Sequence, residues 1–470
     1  MKKMLMALSL SSALLGGSAV VWAEEAASTP VTEQTVAASD AVAASTVDVV
    51  AEAPAPAEAA PAPATEAKVD TGDTAWILVS TALVLLMTIP GLALFYGGMV
   101  RKKNVLSTMM FSLSAAILVS LIWVIAGYSL AFSGSGAYVG DFAKVMLNGV
   151  AYDALSGTIP ESLFVIFQMT FAIITVAIIS GSIADRMKYS AFMAFIAIWV
   201  ILVYAPITHW VWAADGWLFK AGALDFAGGT VVHINAGVAG LVAAYMLGKR
   251  AGLGRESMAP HNLTLTVIGA SLIWVGWFGF NGGSALGAGA RASMAILVTQ
   301  VAAAAAAFSW LIVERLVRGK ASVLGGASGA VAGLVVITPA AGYVGVGGAL
   351  IMGLVGGVVC FWGITALKRL LKADDALDAF GLHAVGGIVG AILTGVFYSD
   401  EIIKAANVAL APTFAGQLWV QVEGVLATMV YSGIATFVIL KVFDLVIGIR
   451  VNADDERMGL ELSQHGERIE

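Results

Sequence analysis

The sequence predicts an all-α protein that crosses a membrane eleven times, and three features of its composition lead to that fold class. Hydrophobic residues make up 59% of the 470 residues and charged residues only 12%, whereas a soluble domain is about 25% charged. Apolar runs close to the roughly 20 residues that span a bilayer repeat along most of the chain. The 53 glycines fit the same class, because small side chains let membrane helices approach closely.

Two segments of different character precede the first membrane helix. Residues 1–23 are predicted to be a cleaved signal peptide, because two lysines precede an apolar stretch that ends with the small residues Val21 and Ala23. An uncleaved first membrane helix is the alternative. Residues 24–72 are rich in Ala, Pro, Glu and Thr and cannot bury a core, so we expect a disordered extracytoplasmic linker.

The membrane domain is predicted to span residues 73–448 and to be followed by a cytoplasmic tail, residues 449–470. Apolar runs of helical length indicate eleven membrane helices. They lie approximately at residues 75–98, 107–132, 161–183, 190–212, 228–248, 264–281, 292–314, 322–338, 346–367, 380–398 and 416–441.

The distribution of basic residues predicts the orientation of these helices. Eighteen basic residues fall on alternate loops and on the tail, and four fall on the loops between them, namely Lys144, Lys220, Arg291 and Lys404. Lysine and arginine are enriched in cytoplasmic loops. The tail is therefore expected in the cytoplasm and the mature N-terminus outside the cell inner (plasma) membrane.

A weak internal repeat indicates two five-helix halves of inverted topology, followed by a final helix. His233–Gly240 in helix five resembles His383–Gly390 in helix ten, and Phe95–Gly98 in helix one resembles Phe280–Gly283 at the end of helix six. Helices one and six run in opposite directions, as do five and ten. Transporters built from inverted repeats bind substrate between the halves, so a path is expected there.

His233 and His383 are the leading functional candidates, because polar groups inside a bilayer are costly and mark functional sites. The alternative is a structural role, in which each ring satisfies a backbone group and packs helices together. A neutral imidazole donates and accepts one hydrogen bond each and titrates near neutrality, which suits proton handling. No Cys or carboxylate neighbours the histidines at metal-ligand spacing, so no cofactor is expected, although two histidines could ligate a haem.

Asp225 begins the run that ends with His233, at the predicted outer start of helix five. A carboxylate there can cap the helix N-terminus or attract cations to the mouth of a path. We expect capping to be its main role and cation attraction to be secondary. Asp378, five residues before His383, is interpreted as its counterpart.

Aromatic residues cluster near the outer ends of several helices. Most of them are interpreted as anchors at the membrane interface. Phe167 and Phe171 share a helix face at i, i+4, as do Phe280 and Ser284 if helix six continues past its glycines. Aromatic faces hold a desolvated cation with about 2 kcal/mol or more, and a serine oxygen can add a hydrogen bond.

Charge and cysteine content exclude other classes of function. The net charge of −6 and the lack of a basic stripe argue against nucleic acid as a partner. Cys360 is the single cysteine, so the chain can form neither an internal disulfide nor a cysteine-based metal cluster.

Residues Asp225–Gly240, Asp-Phe-Ala-Gly-Gly-Thr-Val-Val-His-Ile-Asn-Ala-Gly-Val-Ala-Gly, resemble the signature of the ammonium transporters of the Amt/Mep/Rh type. The resemblance is supported by Thr88–Gly98, Gly276–Ser284 and Asp378–His383. It covers roughly residues 73–465 and is closer to the bacterial Amt branch than to Rh.

The resemblance implies an ammonium-recruiting site, here Phe171, Trp212 and Ser284, and below it a stacked pair, Phe171 and Phe280. It further implies that His233 and His383 lie within the pore. One loop departs from the bacterial pattern, because the segment from Trp212 to Trp217 is one residue longer, and this makes the assignment of Trp212 less secure than the others.

The resemblance also implies partners. It implies a homotrimer with one pore per subunit, and a cytoplasmic PII-type regulator, since Val451–Glu470 resembles the bacterial tail. Ammonium or ammonia and membrane lipid are the other expected partners.

Three other functions remain open on the sequence. A cation-coupled transporter of another small solute usually shows interrupted helices and paired intramembrane carboxylates, and the sequence offers little of either. A membrane enzyme or electron carrier would use His233 and His383 as haem ligands. A sensor would bind ammonium more than conduct it. Neither electrogenicity nor a role for the Ala/Pro-rich extension follows from the sequence.

Overall fold

The computed structural model describes residues 68–469 of the chain. The predicted signal peptide and nearly all of the predicted linker lie outside the described residues. Asp70 caps the first helix, because its carboxylate accepts a hydrogen bond from the backbone N–H of Asp73 at 2.9 Å. That helix begins at Thr71, slightly before the predicted domain boundary at residue 73.

Ten helices in the described part of the chain are long and apolar enough to cross a membrane. An eleventh apolar helix has only 15 residues, or about 22 Å at 1.5 Å per residue. The predicted number and order of helices are confirmed, with one short member. In chain order they are α1 (Thr71–Met99), α2 (Lys102–Phe132), α3 (Glu161–Ile183), α4 (Tyr189–Lys220), α5 (Gly229–Leu247), α6 (Leu263–Gly283), α7 (Ala290–Arg318), α8 (Val323–Ile337), α9 (Val346–Leu371), α10 (Phe380–Phe397) and α11 (Phe414–Val446).

Short elements connect and extend these helices. The loop between α2 and α3 contains a 3-10 turn and one antiparallel pair of strands, and another short helix follows α10. The tail folds into two short helices. These elements are Val145–Leu147, β1 (Leu155–Ser156), β2 (Ile159–Pro160), Asp400–Ala405, α12 (Ala453–Met458) and α13 (Leu460–His465).

Helix packing repeats between the first five helices and the second five. α2 packs against α3 and α4, and α7 packs in the same way against α8 and α9. α3 packs against α5, as α8 packs against α10. α1 lies along α6, and α5 meets α10 where the halves join. The predicted pair of five-helix halves is therefore confirmed, with α11 outside the repeat.

π-helical turns also recur at matching places in the two halves. They interrupt α4 and α9 at Val200–Tyr204 and Gly363–Leu367, and they open α5 and α10 at Gly229–Ile234 and Phe380–Ala384. In a π-helical turn each backbone hydrogen bond spans five residues, one more than in an α-helix. Such turns occur frequently at functional sites. The two turns that open helices contain the two candidate histidines.

The loops and the tail at one end of the bundle are joined by buried ion pairs. Asp185 lies 3.1 Å from Arg101 and 3.7 Å from Arg250, whose guanidinium also pairs with Asp374 at 2.8 Å. Glu461 of α13 accepts a hydrogen bond from a backbone N–H of α2. Because removal of one partner leaves a buried charge without compensation, this network fixes the loop that leads into α10.

Candidate functional site

His233 and His383 meet at the junction of the two halves. Their Nδ1 atoms lie 3.2 Å apart, and their rings are stacked with centroids 5.3 Å apart. Both side chains are buried, His233 completely. Within residues 68–469, no hydrogen-bond partner is found for the buried Nε2 atom of His233. The site therefore contains a buried imidazole nitrogen whose hydrogen-bonding capacity is not used by the described residues.

The contact between the two histidines restricts their protonation. A hydrogen bond between two Nδ1 atoms requires that one ring donates and the other accepts. If both rings are neutral, the donor ring has a bare Nε2 and the acceptor ring carries its proton on Nε2. The pair then offers one acceptor and one donor to its surroundings. Movement of the shared proton alone would leave an imidazolate beside an imidazolium, so these roles are exchanged only when a second proton also enters at the bare Nε2 and another leaves from the protonated Nε2.

Asp225 holds the start of α5 by capping, as the sequence predicted. Its two carboxylate oxygens accept four backbone N–H groups at 2.6–3.1 Å, from Gly228, Gly229, Thr230 and Val231. Burial would be unfavourable for an unpaired carboxylate, whereas a carboxylate at a helix N-terminus is stabilised by these donors. The cap thus fixes the π-helical turn that carries His233.

The interpretation of Asp378 as the counterpart of Asp225 is wrong. Asp375 caps α10, because it accepts the backbone N–H groups of Ala379 at 3.2 Å and Phe380 at 2.8 Å, and the hydroxyl of Ser182 at 2.7 Å. Asp375 precedes His383 by the same eight residues that separate Asp225 from His233.

Asp378 instead forms an ion pair with Lys368 near the end of α9. Its backbone is left-handed, with φ 63°, and its carboxylate lies 2.6 Å from Lys368 Nζ. Burial raises the pKa of this carboxyl to about 6, and the nearby Lys368 acts in the opposite direction. A residue that caps a helix N-terminus usually has an extended backbone. The left-handed backbone of Asp378 differs from this, which explains why Asp378 does not cap α10.

Trp277 lies beside the histidine pair, although it was not among the site residues predicted from the sequence. Its ring stacks on His233 with centroids 5.3 Å apart and an angle of 15°, and only 2% of the residue is exposed. Its indole N–H donates to Thr338 Oγ1 at 2.8 Å. The sequence signal for this position is the spacing of three residues between Trp277 and Phe280, because residues at i, i+3 share a helix face.

Phe171 and Phe280 form a stacked pair on one side of the histidines. Their centroids are 4.3 Å apart at an angle of 19°, and Phe280 also lies 6.1 Å from the His233 ring. Phe167 packs edge-on against Phe171 at 5.0 Å. Phe171 and Phe280 are both essentially fully buried, so the pair separates the histidines from the space beyond it.

That space is a cavity of about 440 Å³, which we call the vestibule. Trp212, Phe171, Asp225 and Ser284, all predicted site residues, line it. The Trp212 ring packs edge-on against Phe171 at 5.7 Å, and its N–H donates to the carbonyl of Asp225 at 2.8 Å. The hydroxyl of Ser284 donates to the Phe280 carbonyl at 2.8 Å. The longer loop after Trp212 therefore leaves this residue in the predicted place.

On the other side of the histidines the interior is apolar. A void of about 10 Å³ beside His383 is lined otherwise by hydrophobic and aromatic side chains, namely Met87, Leu92, Phe95, Ile174, Ile178, Ile273, Trp277 and Val331. A space of this size holds about one small molecule. These side chains offer almost no group that could replace the hydration shell of an ion.

The geometry argues against a haem iron ligated by both histidines. Axial ligands on opposite sides of an iron, each about 2 Å from it, would place the two nitrogens about 4 Å apart, more than the observed 3.2 Å. Residues 68–469 also contain no group of three or more His, Cys, Asp or Glu that could hold a metal.

Eleven helices in inverted halves, with a buried, hydrogen-bonded histidine pair at their junction, define a membrane transporter. The chain belongs to the ammonium transporter family. The model of the Ammonium Transporter Family matches residues 75–469. The ammonium transporter of Bacillus subtilis (strain 168) is 50% identical over 399 residues, which cover 84% of this chain and 98% of that protein.

Other relatives and solved structures agree with this assignment. The ammonium transporter of Aquifex aeolicus (strain VF5) is 47% identical over 405 residues, covering 86% of this chain and 94% of that protein. The crystal structure of Saccharomyces cerevisiae Mep2 is similar with a TM-score of 0.76 at 35% identity, covering 82% of this chain and 88% of that one. A structure described as a sensor Amt protein has a TM-score of 0.78 at 29% identity, covering 84% and 98%.

Proposed function

We propose that this ammonium transporter recruits ammonium in the vestibule, removes its proton, and conducts ammonia past His233 and His383. One observation carries the proposal: the two hydrogen-bonded histidines are buried where the halves meet, and the void beside His383 is otherwise lined by apolar side chains. Neutral ammonia can accept and donate hydrogen bonds there, whereas an intact cation would lose its hydration without replacement.

Recruitment is assigned to the vestibule, which we place on the extracytoplasmic side because the basic loops and tail lie at the other end. Phe171 and Trp212 present ring faces and edges around the cavity, and Ser284 adds a hydroxyl oxygen. A cation against such rings gains about 2 kcal/mol or more when partly desolvated. Asp225 contributes a weaker attraction, because its carboxylate is already bound by four N–H groups.

Deprotonation explains how ammonium would be distinguished from potassium. The two ions are similar in size, so aromatic rings alone discriminate poorly. Transfer of an unpaired ion into an apolar interior is strongly unfavourable, and only ammonium can avoid this penalty by giving up a proton. The stacked Phe171 and Phe280 stand where the change would occur, between the vestibule and His233.

The histidine pair is proposed to relay the separated proton. Transfer across the 3.2 Å Nδ1–Nδ1 contact moves charge between the two halves of the protein without movement of the rings. A proton taken up at the bare Nε2 of the donor ring lets that ring pass its Nδ1 proton to the other ring, which then releases its own Nε2 proton, while ammonia crosses separately. One passage leaves the two tautomers exchanged, so they must return to the starting arrangement before the next proton. Transport is electrogenic under this proposal.

Currents of purified protein in liposomes on a solid-supported membrane test the proposal. Replacement of His233 or His383 by Ala should abolish the current after an ammonium jump or admit potassium current. His209 provides a matched control, because this buried histidine bonds to the carbonyls of Ala131 and Gly136, away from the pair. Folded His209→Gln should retain ammonium selectivity. Unchanged current and selectivity in both Ala variants would refute the relay.

A sensor is the second candidate function, favoured by the similarity to a structure described as a sensor Amt protein. A sensor would bind ammonium and report it without substantial flux. Rescue of a transport-deficient strain on limiting ammonium decides between them, since conduction restores growth and binding alone does not.

We further propose the assembly and organisation that the sequence indicated. They comprise a signal peptide at residues 1–23, a linker at residues 24–72 and a homotrimer in the cell inner membrane with one pore per subunit. A PII-type regulator is proposed to bind the cytoplasmic face, where α12 and α13 pack. Size-exclusion chromatography with light scattering tests the trimer, and pull-down with a purified PII protein tests the regulator.

A further inference from the structure

The vestibule contains a permanent cation, Arg291, at the start of α7. Among the vestibule-lining residues, only Arg291 and Asp225 are charged. Asp225 is engaged by the start of α5, as described above. The charge of Arg291 has no such compensation, because no carboxylate of the described residues lies within 4.0 Å of its guanidinium.

Arg291 is held in place by an aromatic cage. Its guanidinium carbon lies 4.8 Å from the ring centroid of Phe226 and 5.1 Å from that of Tyr343, and these rings meet edge-on at 5.6 Å. Its Nε donates to the carbonyl of Gly342 at 3.2 Å. Guanidinium groups are well suited to such cages, because they stack on aromatic faces and are weakly hydrated.

Gly342 shows that this cage is tightly built. A Cβ atom at Gly342 would lie 2.1 Å from the Phe226 ring, so only glycine permits Phe226 to pack against this backbone. Phe226 and Tyr343 are themselves at least nine-tenths buried. The cage therefore fixes the position of the guanidinium at the wall of the vestibule.

We propose that Arg291 is a fixed cation that repels incoming cations in proportion to their charge, and that it thereby lowers the apparent affinity of the vestibule for ammonium and, more strongly, for divalent cations. The inference rests on the proposed role of the vestibule in recruitment. It adds a residue that sets specificity before any ion reaches Phe171 or Trp212.

The volume of the vestibule gives the size of the effect. A sphere of about 440 Å³ is roughly 9 Å wide, and unit charges about 10 Å apart in water-like surroundings change each other's occupancy about two- to fourfold. Because the interaction energy doubles for a divalent ion, the change in occupancy is squared, to about 4- to 16-fold. Salt at about 1 M shortens the screening length to about 3 Å and should remove the effect.

The experiment compares apparent KM for ammonium current, and inhibition of that current by Mg²⁺, in wild type, Arg291→Gln and Arg291→Lys. Ionic strength is held low and constant with N-methylglucamine chloride. Arg291→Gln should lower KM about two- to fourfold and strengthen Mg²⁺ inhibition about 4- to 16-fold. Arg291→Lys keeps the charge and should resemble wild type, and high salt should abolish the differences.

Lys220→Gln is the matched control for loss of one positive charge on the same face. Its side chain is 60% exposed, pairs with Asp215, and does not line the vestibule. An equal shift in Lys220→Gln, or equal shifts in both Arg291 variants, would overturn the proposal in favour of a general charge effect or a packing effect. Normal ammonium current with unchanged KM and Mg²⁺ inhibition in Arg291→Gln would also overturn it. Absence of ammonium current in wild type would refute the proposed function instead.

Discussion

The cap at the start of α5 permits a quantitative prediction for Asp225→Asn. The carboxylate accepts two N–H groups on each oxygen, whereas an asparagine side chain keeps one oxygen and presents an NH₂ group in place of the other. Two of the four hydrogen bonds are therefore lost. A hydrogen bond to a charged group contributes about 1.5–3 kcal/mol, so the turn should lose about 3–6 kcal/mol of local stability.

Hydrogen–deuterium exchange read by mass spectrometry measures this loss directly. At 1.36 kcal/mol for each factor of ten, amide exchange in the Gly229–Ile234 turn should accelerate about 10²- to 10⁴-fold. Asp375→Asn is the matched control at the start of α10. The asparagine side chain can keep the oxygen that accepts hydrogen bonds from Ala379 and Ser182, and it loses only the hydrogen bond from the backbone N–H of Phe380. Amide exchange at the start of α10 should therefore accelerate about 10- to 100-fold. Equal or reversed effects would refute the capping argument.

Three further predictions concern residues around the path. Trp277→Phe should keep a ring on His233 but lose the bond to Thr338 Oγ1, so stability should fall by about 1 kcal/mol, measured by thermal unfolding in detergent. Gly342→Ala places a Cβ 2.1 Å from the Phe226 ring, and this overpacking should cost about 1–3 kcal/mol in the same assay. The pKa of Asp378 is raised from 3.8 to about 6, so the folded protein binds a proton that the unfolded chain does not bind between these values, and stability should increase as pH falls through this window. Asp378→Asn, which also tolerates left-handed backbone, should remove this component of the pH profile.

The helices and the histidine pair could be predicted from sequence because each depends on a local or periodic signal. An apolar run of helical length needs no tertiary information, and a histidine within such a run is conspicuous against Gly, Ala and Val. The repeat between His233–Gly240 and His383–Gly390 further indicated that the two rings belong together. Their 3.2 Å contact is the geometric result of the packing of α5 against α10.

The cap of α10 and the aromatic cage were not predicted, for different reasons. Asp375 and Asp378 both precede His383, and the capping residue is decided by backbone geometry, since Asp378 adopts a left-handed conformation. The eight-residue spacing to the following histidine, which Asp375 shares with Asp225, is the sequence signal that distinguishes Asp375. Arg291 and its cage had no sequence signal, because the guanidinium and the two rings come from separate segments that only the folded chain brings together.

The inverted repeat also accounts for the way in which the histidines touch. In a two-fold contact residue i of one half meets residue j of the other, and like atoms meet only near the axis. Nδ1 of His233 meets Nδ1 of His383, so the pseudo-two-fold axis of the repeat passes close to this pair. One proton between two identical atoms must belong to one of them at a time, so a nearly symmetric backbone holds an asymmetric proton. The two arrangements differ little in energy except through their surroundings, and these are unequal, since Trp277 stacks on His233 and the small apolar void lies beside His383. Under the proposed relay the pair therefore has two neutral states, and the residues that differ between the halves would determine which state is preferred.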